Sequence, residues 1–410
     1  MVFSFYFMYL SNLSFYFDTE CKRRKFAYIS PNLKYMSRII YICFIVTTMF
    51  MSSACSDKKN YTIEAKIVNL EGKPIYVIQD KYNEGFKLDT LQPDNNFFRL
   101  KGSSNSLTSV RLYFNDKTEL MSLYLKNGDH ITLEGDANKP FEIAIKGNRI
   151  NEEIGDFRKR NSLVLERLRE KEKNFVTHWN KPEYSQSIKQ LRASLQKDAI
   201  AFIQEHKSSL SSSILIYEYL LDIDNYAFCD SLLKTLPPDA KPVNLQAKME
   251  IIFSKILKSK IGTSLPYFTL RNENDSIIYS TSFNGKPTII TCWSIDDTLS
   301  MKEMRYQKNW YKELDRKDYN MVGISFDMDV NAWKNRLKTD SLSWKQVRLP
   351  EGWNSPWVKN SGIVQIPYTL VLDKRGKIIA RNLQGSILQD YLIKMLGEED
   401  SLKQQKDNRK

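Results

Sequence analysis

The chain contains five cysteines and three histidines, and their placement limits the chemistry open to it. His130 stands alone in a strand-like run with no cysteine or histidine at metal-ligand spacing, so neither a metal centre nor a cofactor is expected. Cys292 lies within Thr288-Ile289-Ile290-Thr291-Cys292-Trp293, a β-branched and aromatic run with the composition of a buried strand. Its thiol is read first as a core group and second as a displaced nucleophile. Cys229, in a helical pattern, is read the same way. After Trp293 come Asp296, Asp297 and Thr298, with Ser300 and Glu303 at capping-box spacing. These mark a helix start, where side-chain oxygens accept the unpaired N–H groups of the first turn. Asp297 and Ser300 are therefore expected as helix caps ahead of any role as acid or nucleophile.

A buried strand running into a capped helix must be held by the segments around it. Upstream, Leu265-Pro266-Tyr267-Phe268-Thr269-Leu270 and then Gly285-Lys286-Pro287 lead into the strand. Downstream, the pattern predicts a helix over 302–314, a strand over 320–326 closed by Asp327, and a helix bearing Trp333. Then come Val364 to Asp373, a hairpin turn at Arg375-Gly376, a last strand over 377–380 and a closing helix over 387–396. In this order the segments resemble the thioredoxin-like domain of membrane-tethered thiol-disulfide oxidoreductases, within the alkyl hydroperoxide reductase-like superfamily. The likeness covers 261–397. That family carries Trp-x-x-x-Cys-x-x-Cys at the strand-to-helix turn. Trp293 is the Trp here, and Asp297 and Ser300 occupy the two cysteine positions. The resemblance also implies a cis Ile366–Pro367 bond facing that turn and a groove near Trp293 and Pro367 that takes a protein or peptide. Disulfide exchange needs a thiolate, which a helix N-terminus stabilises. A carboxylate at 297 cannot attack a disulfide, and a hydroxyl at 300 cannot resolve a mixed one.

The net charge is +13, from 61 basic and 48 acidic residues. Six of the basic and two of the acidic residues precede Cys55, so +9 remains beyond it. The basic residues are interspersed with acids, which argues against a nucleic-acid partner. Arg38 followed by the 13 apolar residues 39–51 has the form of a signal-peptide core, too short to span a bilayer comfortably. Ser52-Ser53-Ala54-Cys55 resembles the lipobox of bacterial lipoproteins, which implies acylation of Cys55 and a membrane partner reached through the lipid anchor. The expected location is the cell envelope, periplasm-facing, in a Gram-negative bacterium. Residues 36–55 are thus read as signal peptide and lipobox, and 1–35 as upstream sequence from a wrong start codon.

Residues 61–148 alternate in short runs, with strands expected over 61–68, 75–78, 97–100, 110–114, 120–125, 130–133 and 141–145. Leu88-Asp89-Thr90 with Phe97-Phe98, and Leu123-Tyr124-Leu125 ahead of Asn127-Gly128-Asp129, resemble a β domain of unknown function found before thioredoxin-like domains in bacterial lipoproteins. Over 149–258 the period becomes helical, marked by Ile154, Phe157, Val164 and Leu168 and then by Leu191, Leu195, Ala199 and Phe202. Residues 398–410 are charged and expected to be disordered. The fold class is therefore multidomain: an N-terminal all-β sandwich, a helical connector and a C-terminal α/β thioredoxin-like fold. The expected function is a redox-degenerate, non-catalytic binding or assembly role, with the alternative of thiol-disulfide or peroxidase-type redox activity through Cys292 or Cys229.

Overall fold

The computed structural model describes residues 59–81, 85–114, 118–311 and 318–407, with side chains as far as residue 397. The segments 1–35 and 36–55, Cys55 among them, lie outside these residues. The chain divides into two compact units, with the border between Arg160 and Asn161.

In the first unit the strands are β1 (Tyr61–Val68), β2 (Ile75–Lys81), β3 (Gly85–Leu91), β4 (Phe97–Gly102), β5 (Thr108–Tyr113), β6 (Glu119–Leu125), β7 (His130–Asp136) and β8 (Ala144–Lys146). They form two four-stranded sheets, ordered β4-β1-β7-β8 and β3-β2-β5-β6. Alternation along β1 sends Tyr61, Ile63, Ala65 and Ile67 into a core shared with Val77, Leu112, Leu123 and Leu133. Two departures from the sequence pattern have local causes. Strand β3 is absent from that pattern because its residues are exposed on both faces, which leaves no hydrophobic period to read. The run 141–145 opens instead as a 3₁₀ turn, Pro140–Glu142, and the strand begins only at Ala144.

The helix α1 (Arg149–Arg160) belongs to this first unit. Its Asn151 side chain accepts from Tyr124 N and donates to Tyr124 O, both at 2.8 Å, which fixes the helix to β6. Nearby, Arg111 and Arg158 share the buried carboxylate of Glu119 at 3.8 and 3.9 Å, and the Ser122 hydroxyl donates to it at 2.6 Å.

The second unit starts with helices α2 (Ser162–Lys173), α3 (Phe175–His178), α4 (Pro182–Glu205), α5 (Leu210–Leu215), α6 (Tyr226–Thr235) and α7 (Val243–Lys258). Then follow β9 (Thr269–Asn272), β10 (Ile277–Tyr279), β11 (Thr288–Trp293), α8 (Thr298–Trp310), β12 (Asn320–Ser325), α9 (Val330–Asp340), β13 (Lys345–Arg348), α10 (Pro356–Ser361), β14 (Tyr368–Leu372), β15 (Ile378–Arg381) and α11 (Gly385–Asp407). The sheet order is β10-β9-β13-β12-β11-β14-β15. Strands β11, β12 and β13 run parallel, while β14 is antiparallel to β11. All six residues of β11 are buried, as its β-branched and aromatic composition leads one to expect of a central strand. Helix α11 continues to Asp407, so most of the tail expected to be disordered is helical.

Helices and sheet of this unit are joined by Arg381 at the end of β15. Its guanidinium is 7% exposed and donates to Ile223 O at 2.8 Å, Ile256 O at 3.0 Å and Ser259 Oγ at 3.2 Å. Hydrogen bonds from a buried charged group are worth about 1.5–3 kcal/mol each. A second junction forms where Asn180 Oδ1 accepts from Ser386 N at 2.6 Å, with Trp179 edge-on to Tyr306.

Candidate functional site

The site forms where β11 gives way to α8. Strand β11 ends at Trp293, and Ser294, Ile295 and Asp296 turn the chain into the helix. The turn is held from below by Asp327, just past the end of β12. One carboxylate oxygen accepts from Ser294 Oγ at 2.6 Å and Ile295 N at 3.0 Å, and the other from Ser325 Oγ at 2.7 Å. Asp297 is the N-cap of α8, and its Oδ1 accepts from Ser300 N at 2.6 Å. Burial raises the Asp297 carboxyl above the usual range, and the hydrogen bonding to Ser300 opposes this. Ser300 is fully buried one turn into the helix.

The β11–β14 register pairs Cys292 with Tyr368, which sets Pro367 beside the end of β11, and the Ile366–Pro367 bond is cis. Trp293 and Pro367 are both buried. The Trp293 indole N–H donates to Gln346 Oε1 at 3.2 Å. A Cβ at Gly323 would stand 2.0 Å from that same oxygen, so a side chain there would have to push the Gln346 amide away from Trp293. Residues that reach solvent at this end include Asp296, Thr298 and the 68%-exposed Met328, with Ile295, Asp297 and Trp353 half-buried.

Ser300 and Glu303 do not form a capping box. The true cap lies three residues earlier, and Glu303 turns into the core, where it is fully buried. Its Oε1 accepts from Gln307 Nε2 at 2.7 Å and its Oε2 from Gly385 N at 2.9 Å, while Thr291 Oγ1 donates to Gln307 Oε1 at 3.0 Å. Burial pushes the Glu303 carboxyl up to about 7 against the lowering effect of these two donors. Next along the chain from this contact, Gln384 Nε2 donates to Pro367 O at 2.9 Å. Neither Glu303 in this inward role nor Gln384 is legible in the sequence, because Gly385 and Pro367, which they respectively meet, are far away along the chain.

The cysteines among the described residues, Cys229 and Cys292, are both free and buried. Burial drives the Cys292 thiol far above its ordinary range. Cys229 is pushed up to about 12 by burial, with the Asp222 carboxylate adding to the effect. At neutral pH neither supplies a thiolate. His130 is exposed on β7 and shares a hydrogen bond with Thr62 Oγ1 at 2.6 Å. No cluster of potential metal ligands occurs among the described residues.

Residues 261–383 match the AhpC/TSA family, and residues 61–154 match a domain of unknown function, DUF4369. Residues 261–383 form an AhpC/TSA thioredoxin-like domain. Among solved structures, it is similar to the C-terminal domain of a protein assigned as a thiol-disulfide oxidoreductase from Bacteroides thetaiotaomicron, at 35% identity over 34% of this chain and 99% of the other, with TM-score 0.33. A thiol-disulfide oxidoreductase from Bacteroides fragilis matches at 30% identity over 32% and 99%, with TM-score 0.30. Two chloroplastic peroxiredoxin Q proteins, from Gentiana triflora and Populus jackii, are each 28% identical, over 37% and 31% of this chain. The chain spans 68% and 60% of their respective lengths. In the thioredoxin-like domain Asp297 caps α8, Ser300 lies on its first turn, and the Ile366–Pro367 bond is cis.

Proposed function

We propose that this is a lipid-anchored cell-envelope protein whose thioredoxin-like domain has lost disulfide exchange and serves a binding or assembly role. The observation that carries the reading is the first turn of α8. A capping carboxylate and a buried hydroxyl stand at the positions that the family resemblance gives to the two exchanging cysteines, and the nearest thiol, Cys292, is buried and far from ionising. A protein or peptide partner would meet Ile295, Asp296, Met328 and Trp353, since Trp293 and Pro367 lie beneath the surface. The competing reading, redox turnover through Cys292 or Cys229, draws on the oxidoreductase and peroxiredoxin names of the relatives. One assay separates the two. The folded protein is expected to leave both buried thiols unmodified by a thiol reagent until it is denatured, and to show no insulin reduction. A fast-reacting thiol together with turnover would establish the redox reading instead.

The anchor rests on Ser52-Ser53-Ala54-Cys55 behind a short apolar run. Cys55→Ala is expected to release the protein from the membrane fraction or leave it unprocessed. Fatty-acid labelling that persists in this variant would refute the lipidation.

A further inference from the structure

One feature of the first unit plays no part in the site. The sheet β3-β2-β5-β6 ends on β3, which pairs with β2 on one side and with no strand on the other among the described residues. Residues 85–90 of this strand are all exposed, including Leu88 at 55% and Phe86 at 40%. A long exposed edge with apolar side chains presents backbone N–H and C=O groups to any further strand, and proteins ordinarily blunt such edges. On the opposite face of β3, Lys87 and Asp89 lie 3.5 Å apart with both side chains about half exposed.

We propose that β3 is a self-association edge, at which two copies of this chain pair antiparallel about a twofold axis through Leu88. A twofold contact is isologous, so each residue meets the residue that is its mirror in sequence about the axis. Because paired residues of a pleated sheet share a face, the axis must pass through a residue. Centred on Leu88, the register sets Lys87 opposite the second copy's Asp89 and Asp89 opposite its Lys87. Leu88 then meets Leu88, and Phe86 meets Thr90. Centring on Lys87 or Asp89 would place like charges directly opposite each other, which is destabilising. The strand is thus complementary to itself in a single register, and its charges select that register over its neighbours. One strand pair buries little area, so the dimer is weak and reversible, with a dissociation constant on the order of micromolar or weaker.

Sedimentation of the full-length chain over a concentration series tests this. A reversible monomer–dimer equilibrium is expected. Lys87→Glu and Asp89→Lys should each weaken it by about tenfold, since each turns two favourable cross-strand pairs into repulsive ones. An equimolar mixture of these two variants should regain dimer, because the glutamate introduced at position 87 of one copy then faces the lysine introduced at position 89 of the other, while the unchanged Asp89 and Lys87 face each other. Both positions are exposed, so the substitutions leave the fold intact. Directly opposed Cα atoms in an antiparallel pair lie about 4.5–5.5 Å apart, within disulfide range. Leu88→Cys should therefore give an intermolecular 88–88 disulfide on mild oxidation, mapped by mass spectrometry, while Lys87→Cys should not link to itself. A chain that stays monomeric throughout the series overturns the proposal and leaves the edge to a different protein. A dimer indifferent to both charge reversals overturns it equally.

Discussion

At pH 8 the Glu303→Gln variant is expected to be more stable than the parent by about 3 kcal/mol, and the two should converge as the pH falls toward 4. The folded-state pKa of about 7 lies above the ordinary value of 4.5. Below that ordinary value the carboxyl is protonated in both the folded and the unfolded chain, so burial carries no ionisation cost. As pH rises from there to about 7, the unfolded chain ionises while the folded one does not, and stability falls; above that window the loss is complete. Glutamine removes the titration and keeps the hydrogen bonds. Its oxygen accepts from Gly385 N, its amide donates to Gln307, and Gln307 reverses its own amide so that Thr291 Oγ1 accepts instead of donating. Urea unfolding of parent and variant at several pH values reads this directly. Parallel curves would show that Glu303 does not titrate with folding.

The double variant Asp297→Cys, Ser300→Cys is expected to acquire a reducible disulfide and insulin reductase activity, with no such activity expected in the parent. Asp297 Oδ1 already reaches the Ser300 backbone N at 2.6 Å, so the two residues share one turn with the Asp297 side chain directed at the Ser300 backbone. A thiol at 297 gains the helix N-terminus and the Ser300 N–H, both of which favour the thiolate. The burial that raises the Asp297 carboxyl opposes this, so the thiol introduced at 297 should ionise more readily than Cys292 or Cys229 but less readily than a fully exposed helix-end thiol. Loss of the aspartate cap costs about 0.5–2 kcal/mol. Mass measurement after oxidation and the insulin assay give the outcome, and two introduced thiols that never pair would refute this placement of the turn.

How far the sequence can be read depends on whether a signal is local. The alternation in β1, the β-branched and aromatic run of β11 and the polar start of α8 are each set by neighbours within a few residues, and all are legible. Pro367 is legible only through resemblance. Strand β3 carries no period because neither of its faces is buried. Glu303 misleads for a related reason: Ser300 and Glu303 satisfy a local spacing rule, but the carboxylate's direction is decided by Gly385, far along the chain. Arg381 leaves little trace in the sequence, since two of its three acceptors, on Ile223 and Ile256, are backbone carbonyls, whose residue type carries no information, and the third, Ser259 Oγ, is 122 residues away along the chain.

That arginine also separates two meanings of the word domain. Similarity to other proteins marks a border at residue 261, whereas physical compactness marks one at 161. The helices between the two borders, with the turns that join them, supply all three of the acceptors that hold the buried guanidinium. The piece that recurs among relatives is therefore smaller, in this chain, than the compact unit that contains it. Exchanging the recurrent piece for a relative's would keep that piece's own core but take Arg381 away and leave the Ile223 and Ile256 carbonyls without their buried donor, so the inherited module and its helical collar have to evolve together.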